Sequence, residues 1–535
     1  MASCGEATVR LLEQYGVTTV FGIPGAHTIE LYRGLAGSTI RHVSTRHEQG
    51  AGFMAHGYAR VTGTPGVCFV ISGPGVTSVT TPMGQAYSES VPMLVISGAG
   101  CTSSIGMGYG TLHELGHQRE ATAQVAAFSH TLLCPEQLPE VIAAAYANFR
   151  CERPRPVHIE IPFDVAAQPV DFEPIVWHTP SRPAPQAGAI AEAARLLASA
   201  RSPVIIFGGG ATHAADSARE LVELLDAPAV LTTNGKGILP RGHRLSLGSN
   251  LQFEPVRLLL EEADVVLAVG TEFGETDTQL IGTRMRFSGR LIRVDIDARQ
   301  LSRAQCSSLS IVSDSAEALA ALVAALKAQP ACRSPVRRTG TETVRAVREK
   351  VRAYWRAGIP AYQRLFDLIS STLPDAVVVG DSAQHAYEAD HLFEANEPRS
   401  YMTASTGYGT LGFALPAAMG AKIGAPHRPV VCLIGDAGMQ FTLPELATAV
   451  QERIPIVVLI WMNAGYEEIR FLLREQGIPP ERFDIDSPDF VMCARGFGCE
   501  AAVAQDSRDL ELLLADATQL ERPLVVELSE EALLE

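Results

Sequence analysis

Two short polar strings in the last third of the chain could bind a metal ion together. Asp436 follows the apolar run 429–434, and Asn463 follows the apolar run 455–461. Carboxylate, amide and loop carbonyl oxygens are ligands that Mg²⁺ accepts, and diphosphate oxygens and water can complete the octahedron. Each string alone is more often a plain turn, but a spacing of 27 positions (463 − 436) across one strand–helix–strand unit favours a shared site. Its predicted lining is Gly435, Asp436, Ala437, Gly438, Asn463, Gly465 and Tyr466.

A carboxylate in the first third could move a proton. Glu48 follows the predicted strand 41–46 and begins a run of small residues that we expect to be helical. Since the helix dipole favours a carboxylate at a helix N-terminus, a purely structural cap is the alternative. Tight turns that contain Pro24, Gly25 and Gly73 follow other apolar runs of this third.

These residues need strands that end at a common edge, where α/β proteins bind ligands. Short β-branched runs alternate with helical stretches, which is typical of parallel βαβ units; the predicted strands are 66–71, 93–97, 203–207, 264–269, 291–294, 376–379, 429–434 and 454–461. Because 535 residues exceed one core, we predict an α/β protein of three doubly wound, mostly parallel-sheet domains, 1–170, 186–330 and 345–535. Residues 179–185 and 328–340 are the predicted boundaries. Thr442 and Glu445 predict a capping box at a helix start.

Composition and charge exclude several classes of protein. A net charge of −16 argues against a nucleic-acid partner. The longest apolar runs fall far short of the roughly 18 residues that cross a bilayer, and the N-terminus lacks the pattern of a secretory signal. Ten cysteines without a CxxC pair indicate reduced thiols. We therefore expect a cytoplasmic protein that binds neither nucleic acid nor membrane.

The strings around Asp436 and Asn463 resemble the diphosphate-binding motif of thiamine-diphosphate enzymes of the acetolactate synthase and 2-oxo acid decarboxylase type. That motif begins Gly-Asp-Gly and closes with Asn-Asn; Ala437 and Met462 depart from it but spare the metal-binding positions. The resemblance implies thiamine diphosphate and Mg²⁺ as cofactors, with the main-chain oxygen of Gly465 as a third metal ligand.

Residues 403–418 resemble the pyrimidine-holding loop of the same family. The resemblance implies that the main-chain oxygen of Gly409 accepts a hydrogen bond from the cofactor's amino group. Leu411 would wedge between the two rings of the cofactor. The alternative is a glycine-rich turn before a packed helix.

Residues 21–25 and 46–60 resemble the family's pyrimidine-binding domain, which makes Glu48 the activating carboxylate that faces N1′ of the cofactor. Pro24, Gly25 and Gly73 would shape the same pocket. Ala26 stands where some decarboxylases of the family carry an acid, so His27, His113 or water would deliver the proton. Gln118 matches a glutamine that acetolactate synthases place near the reacting centre. A solvated loop is the alternative for His113.

Further similarity, including residues 22–35 and 406–412, is to 2-ketoarginine decarboxylases. It implies non-oxidative decarboxylation of a 2-oxo acid to an aldehyde and CO₂, here 2-ketoarginine to 4-guanidinobutanal. A buried guanidinium needs a carboxylate, for which Glu467, Glu468 and Glu114 are candidates, although an exposed helix start is equally expected for the first two. The alternatives are a carboligase that joins a decarboxylated 2-oxo acid to a second carbonyl, and a non-catalytic homologue.

The central third resembles a domain in which acetolactate synthases hold FAD. A glycine triplet, 208–210, follows a predicted strand there, but a lone triplet is weak evidence. We therefore expect a structural domain without FAD, and a solvent-facing polar loop at 270–277. The family resemblance also implies a homodimer or homotetramer.

Overall fold

Three parallel sheets, each covered by helices, form the protein. The computed structural model describes residues 1–171, 173, 175–328, 339–354 and 359–534. All strand pairs within the three sheets are parallel, because the strands are apolar on both faces and helices cover both. The predicted class, three doubly wound α/β domains, is confirmed.

The first sheet has six strands, namely β1 (Thr19–Gly22), β2 (Arg41–Ser44), β3 (Gly66–Val70), β4 (Met93–Ala99), β5 (Phe128–Thr131) and β6 (Val157–Pro162). They lie in the order β2-β1-β3-β4-β6-β5. The helices of this part are α1 (Cys4–Gln14), α2 (Ile29–Ala36), α3 (Glu48–Thr62), α4 (Pro74–Glu89), α5 (Gln118–Ala123), α6 (Leu138–Cys151) and α7 (Phe163–Ala166).

The second sheet has five strands, namely β7 (Pro203–Phe207), β8 (Ala229–Leu231), β9 (Val265–Val269), β10 (Arg290–Asp295) and β11 (Leu309–Val312). They lie in the order β11-β10-β9-β7-β8. Around them are α8 (Ala187–Ser199), α9 (Ala215–Leu225), α10 (Glu254–Glu262), α11 (Glu275–Thr278), α12 (Ala298–Leu301) and α13 (Ser315–Ala328), and α14 (Gly340–Arg352) follows along the chain.

The third sheet has six strands, namely β12 (Val377–Gly380), β13 (Tyr401–Thr403), β14 (Val430–Gly435), β15 (Val457–Trp461), β16 (Glu500–Val503) and β17 (Leu524–Leu528). They lie in the order β13-β12-β14-β15-β17-β16, which is the order of the first sheet repeated. Its helices are α15 (Ile359–Thr372), α16 (Gln384–Leu392), α17 (Ala414–Gly424), α18 (Asp436–Thr442), α19 (Glu445–Gln451), α20 (Glu467–Glu475), α21 (Phe490–Phe497), α22 (Ser507–Ala515) and α23 (Glu530–Leu534).

Each predicted strand is present, with ends that shift by at most three residues. Most of the predicted boundary 328–340 lies outside the described residues, and the three domain ranges remain predictions. Within the described part of the chain, no helix combines the length and apolar character needed to span a bilayer.

The predicted capping box at Thr442 and Glu445 is wrong. Helix α18 already runs to Thr442, whose hydroxyl donates to the carbonyl oxygen of Gly412, and α19 begins at Glu445 without a side-chain cap. The Glu445 carboxylate instead accepts from the backbone N–H groups of Arg46 and His47. A tertiary contact with the start of α3 has therefore replaced the local cap.

Helices α3 and α17 join the first and third sheets through backbone contact. A Cβ atom at Gly57 would overlap the carbonyl oxygen of Ala417, and one at Gly420 would overlap that of Met54. The two contacts are reciprocal, since each glycine lies three residues beyond the carbonyl that its partner approaches. No side chain larger than hydrogen fits at either crossing point.

We predict that Gly57→Ala lowers the midpoint of thermal unfolding, because the added methyl group must push two helices apart at a cost of about 1–3 kcal/mol. Gly496→Ala, in α21 with nothing near its Cβ position, is the matched control. It should leave the midpoint unchanged or raise it slightly, as expected for alanine in a helix. Equal midpoints for both variants would contradict the close approach.

Candidate functional site

The carboxyl ends of β14 and β15 bring Asp436 and Asn463 to the same edge. The two strands are paired neighbours, with Gly435 opposite Trp461. Asp436 is fully buried at the start of α18. Its Oδ1 accepts from the backbone N–H of Ala437 at 2.8 Å, and its Oδ2 accepts from the Ser487 hydroxyl at 2.6 Å.

Oxygen atoms of Asp436, Asn463 and Gly465 converge at this edge. The side-chain oxygen of Asn463 lies 3.3 Å from Asp436 Oδ1 and 2.9 Å from the carbonyl oxygen of Gly465. These contacts are repulsive unless a cation lies between the oxygens or the amide turns over and donates to both. Among the described residues, no group of three His, Cys, Asp or Glu side chains could hold a metal ion, so this mixed oxygen set, which suits Mg²⁺, is the fitting place for one.

Arg470 holds the loop that carries Asn463. Its guanidinium donates to the carbonyl oxygens of Asn463 and Ala464, and it pairs with Asp484 at 2.6 Å. Ala464 has a positive φ of 54°, which is uncommon for a residue with a side chain. Arg470 was not among the predicted residues, because its partners are backbone atoms of a loop whose shape no motif reveals.

A second missed residue, Asp381, anchors the loop within residues 403–418, which was predicted to hold the cofactor's pyrimidine ring. It follows β12, and its carboxylate accepts from the backbone N–H groups of Gly412 at 3.1 Å and Ala414 at 2.8 Å. Burial raises its pKa to about 6. Just before these anchors, Gly409 is exposed with a φ of 75°, and Leu411 is half-buried. A polar residue directly after a buried strand was the signal that could have identified Asp381.

Helix α4 of the first domain fixes the other end of this loop. The buried Gln85 amide accepts from the Thr410 hydroxyl at 2.9 Å and donates to the Ala404 carbonyl at 3.2 Å. The Glu89 carboxylate accepts from Gln85 at 2.6 Å and from the Thr406 hydroxyl at 2.8 Å. Two domains of one chain therefore set the position of Gly409 and Leu411.

Glu48 lies at the equivalent edge of the first sheet. It is the first residue of α3 and is half-buried. Its carboxylate lies beside Gly75, with 3.4 Å between Oε1 and the Cβ position of that glycine. No hydrogen bond or ion pair joins this carboxylate to another of the described residues. The side chain of His47, not that of Glu48, caps α3 by accepting from the N–H of Gln49. Glu48 lies in the first turn of α3, where the helix dipole favours its charge.

The turns predicted near Glu48 lie at the same edge. Gly73 has a φ of 62°, and a Cβ atom there would lie 2.5 Å from the His113 carbonyl oxygen. Pro24 is exposed, and Gly25 is fixed by hydrogen bonds of its N–H and carbonyl groups with the Thr28 hydroxyl. These turns could admit a ligand only through their backbones.

Gln118 is nearly fully buried and its amide is engaged. Its oxygen accepts from the Gly73 N–H at 2.9 Å, while its nitrogen donates to Glu160 at 2.8 Å and to the Gly98 carbonyl at 3.0 Å. These contacts suit a residue that positions the Gly73 turn. The predicted catalytic role remains a prediction.

His27 and His113 lie together, with ring centroids 5.7 Å apart. His27 Nδ1 shares a hydrogen bond of 2.8 Å with the Ser72 hydroxyl. Burial, and to a lesser extent the neighbouring His113, lowers the pKa of His27. A neutral imidazole beside a hydroxyl can pass a proton in either direction.

The three carboxylates predicted to bind a cation have different surroundings. Glu114 accepts from the N–H groups of its own loop at 108, 110 and 111, and thereby closes that loop. Glu467 pairs with Arg470 at 3.2 Å and Arg474 at 3.1 Å. Glu468 is half-buried and has no ion pair with any described residue. It is the one candidate of the three whose carboxylate has neither a hydrogen bond nor an ion pair with a described residue.

The predicted central turn lines a cavity of about 570 Å³. Gly209, Gly210 and Asp295 line it, and residues of the polar loop 270–277 line it as well. This loop was expected to face solvent; seven of its eight residues line the cavity, and Glu272, Glu275 and Thr276 among them are exposed.

Comparison with known proteins shows the family to which the chain belongs. The chain matches three family descriptions, namely the N-terminal TPP binding domain of thiamine pyrophosphate enzymes at residues 2–125, their central domain at 190–322 and their C-terminal TPP binding domain at 381–528. The protein is thus a member of the thiamine pyrophosphate enzymes, as the resemblance implied, and thiamine diphosphate is its cofactor.

The chain is also similar to individual members of this family. A probable 2-ketoarginine decarboxylase of Pseudomonas aeruginosa is 48% identical over 95% of this chain and 90% of its own length. The large subunit of acetolactate synthase isozyme 1 of Escherichia coli is 32% identical over 97% and 92%. The crystal structure of a candidate thiamin diphosphate-dependent enzyme from Mycobacterium smegmatis shares the fold, with a TM-score of 0.83, 23% identity and 99% coverage of both chains.

We predict that Asp436→Ala weakens binding of thiamine diphosphate in the presence of Mg²⁺ by about 100-fold or more, because it removes the only carboxylate of the oxygen set. Removal of one partner of a buried charged contact costs about 3–5 kcal/mol. Isothermal titration calorimetry without substrate measures this affinity. Asp506→Ala, which alters the cap of α22, is the control and should bind as the unmodified protein does.

Proposed function

We propose that the protein catalyses the Mg²⁺- and thiamine-diphosphate-dependent, non-oxidative decarboxylation of a 2-oxo acid to an aldehyde and CO₂. The proposed substrate is 2-ketoarginine and the product 4-guanidinobutanal. The observation that carries the cofactor chemistry is the convergence of oxygens from Asp436, Asn463 and Gly465. The choice of reaction is supported by the relative of 48% identity, whose name is that of a 2-ketoarginine decarboxylase.

Each residue of the two edges has a defined task in this proposal. Asp436, Asn463 and the Gly465 carbonyl hold Mg²⁺, which binds the diphosphate. Glu48 exchanges a proton with N1′ of the aminopyrimidine. Its freedom from other partners supports this task, because a carboxylate already bound by a cation would be a poor base. When bound, thiamine diphosphate supplies the nucleophilic carbon and accepts the electrons released with CO₂.

The site is completed by a second copy of the chain. Glu48 has no hydrogen bond or ion pair with a described residue of the third domain of its own chain, and the cofactor needs both edges. Exposed apolar side chains lie in segments that follow the edge strands along the chain. They are Met107, Tyr109 and Leu112 in the first domain, and Ile469, Leu472 and Ile478 in the third. Their burial between copies would stabilise a homodimer, which could pair further into a tetramer.

Glu468 receives the guanidinium of the substrate. It lies three residues beyond Gly465. Burial is the main cause of the raised pKa of Tyr387 in α16, and the charge of Glu468 adds to it, which supports a place for Glu468 near the start of that helix. Glu467 is already paired with Arg470, and Glu114 already accepts hydrogen bonds from the 108–111 turn. A free carboxylate at this edge can pair with a cationic side chain, whereas an engaged one must first give up its partners.

The His27–His113 pair and water are the proposed sources of the proton that completes the aldehyde. The Ser72 hydroxyl orients the His27 ring. We also propose a cytoplasmic location, which is supported by the absence of disulfides among the cysteines of the described residues.

A carboligase is the second candidate function, since acetolactate synthases are among the relatives. The two functions are separated by their products. Purified protein with Mg²⁺ and thiamine diphosphate is supplied with 2-ketoarginine, pyruvate or an uncharged 2-oxo acid, and CO₂ and organic products are quantified by mass spectrometry. Rapid CO₂ release with 4-guanidinobutanal supports the decarboxylase; acetolactate from pyruvate would replace it with the carboligase.

We predict that Glu48→Gln lowers kcat in this assay by about 10²- to 10⁴-fold, the usual worth of a general acid–base group. The amide has nearly the same shape but cannot take the proton. Unchanged turnover would remove Glu48 from the mechanism. Absence of turnover in the unmodified protein with every 2-oxo acid would favour a non-catalytic homologue.

We predict that Glu468→Gln lowers kcat/KM for 2-ketoarginine by roughly 10- to 100-fold and leaves that for 2-oxohexanoate, an uncharged acid of similar length, within about threefold. A hydrogen bond to a charged group contributes about 1.5–3 kcal/mol. Glu467→Gln is the matched control, and because it loosens Arg470 it should affect both substrates alike. An equal loss for both substrates in Glu468→Gln would contradict guanidinium recognition.

A further inference from the structure

A buried carboxylate lies behind the Gly73 turn and has no part in the mechanism so far. Glu160 lies in β6 and is 4% exposed. One carboxylate oxygen accepts from the Thr131 hydroxyl at 2.5 Å, and the other accepts from the Gln118 amide nitrogen at 2.8 Å. No basic side chain of the described residues forms an ion pair with it. Burial of a carboxylate costs free energy, so the hydrogen bonds of Glu160 must compensate for its lost contact with water.

Glu160 sets the orientation of the Gln118 amide. An ionised carboxylate and a carbonyl oxygen can only accept hydrogen bonds. Because Gln118 meets Glu160 and the Gly98 carbonyl on one side, the amide nitrogen must face that side. The amide oxygen is then directed to the Gly73 N–H, from which it accepts at 2.9 Å.

The position of Gly73 determines the space around Glu48. Gly73 has a left-handed φ of 62° and lies against the His113 carbonyl, so the turn cannot relax towards that side. Gly75, two residues later, lies beside the Glu48 carboxylate. A shift of the turn would therefore move the wall of the pocket in which Glu48 meets the cofactor.

We propose that Glu160 is a positioning residue for cofactor binding, which acts through Gln118 to hold the Gly73–Gly75 turn against Glu48. This inference rests on the proposed function, in which Glu48 faces the aminopyrimidine. Gln118 thereby contributes to the reaction without contact with the substrate. The Thr131 hydroxyl satisfies the second oxygen of Glu160 and does not determine the orientation of Gln118.

The test measures the affinity of the substrate-free protein for thiamine diphosphate with Mg²⁺ by isothermal titration calorimetry. Glu160→Leu removes the acceptor and should weaken binding roughly 10- to 100-fold, the equivalent of one hydrogen bond to a charged group. Thr131→Val removes the other hydrogen bond of the same carboxylate and should stay within about threefold of the unmodified protein. Unchanged affinity in Glu160→Leu, or an equal loss in Thr131→Val, would overturn the proposal.

A reciprocal exchange covers the case in which Glu160→Leu does not fold. Gln118→Glu sets two carboxylates against each other and should bind the cofactor at least 100-fold more weakly. Adding Glu160→Gln should restore at least tenfold of that loss, because the new amide can donate to the new carboxylate, which still accepts from Gly73. No recovery in the double variant overturns the proposal.

Turnover separates this proposal from the proposed function. At saturating thiamine diphosphate, the KM for the 2-oxo acid should be unchanged in Glu160→Leu, since Glu160 does not touch the substrate. If the unmodified protein binds the cofactor but releases no CO₂ from any 2-oxo acid, the proposed function fails while the effect of Glu160 on affinity still stands. If decarboxylation is rapid and Glu160→Leu binds normally, only the role of Glu160 fails.

Discussion

The reciprocal crossing of α3 and α17 is the constraint on which the rest of the structure depends. Glu48 begins α3, and the loop that carries Gly409 and Leu411 leads directly into α17. Since the two helices touch backbone to backbone, their separation is fixed by glycine and not by adaptable side chains. The N-terminal ends of both helices are therefore held by one rigid contact, which Glu445 and Gln85 reinforce from the two sides.

The sequence was informative where chemistry is carried by short segments. Strands were predicted well, because buried parallel strands are continuous apolar runs, and Asp436 and Asn463 were brought together because adjacent parallel strands end at one edge. Prediction failed where a side chain forms hydrogen bonds with backbone groups that are far away along the chain. Glu445 had the spacing of a local cap, yet it binds N–H groups some 400 positions earlier in the chain, and no local pattern contains that information.

Charge compensation could not be predicted from the sequence either. Glu467 and Glu468 are adjacent and equally suited to bind a cation on paper, but helical geometry turns Glu467 towards Arg470 and Arg474. Asp381 and Glu160 are buried carboxylates whose partners are backbone N–H groups, a hydroxyl and an amide. The oxygens of these two acids are occupied by such partners, whereas no hydrogen bond or ion pair joins the carboxylates of Glu48 and Glu468 to another described residue.

The repeated strand order of the first and third sheets has a further consequence. Helix α3 follows β2 and α17 follows β13, so the two helices occupy equivalent places in two equivalent sheets. Their reciprocal contact has the form of an interface in a symmetric dimer. The chain is thus built like two related subunits fused into one polypeptide. Each chain therefore contributes one sheet edge with Glu48 and one sheet edge with Asp436.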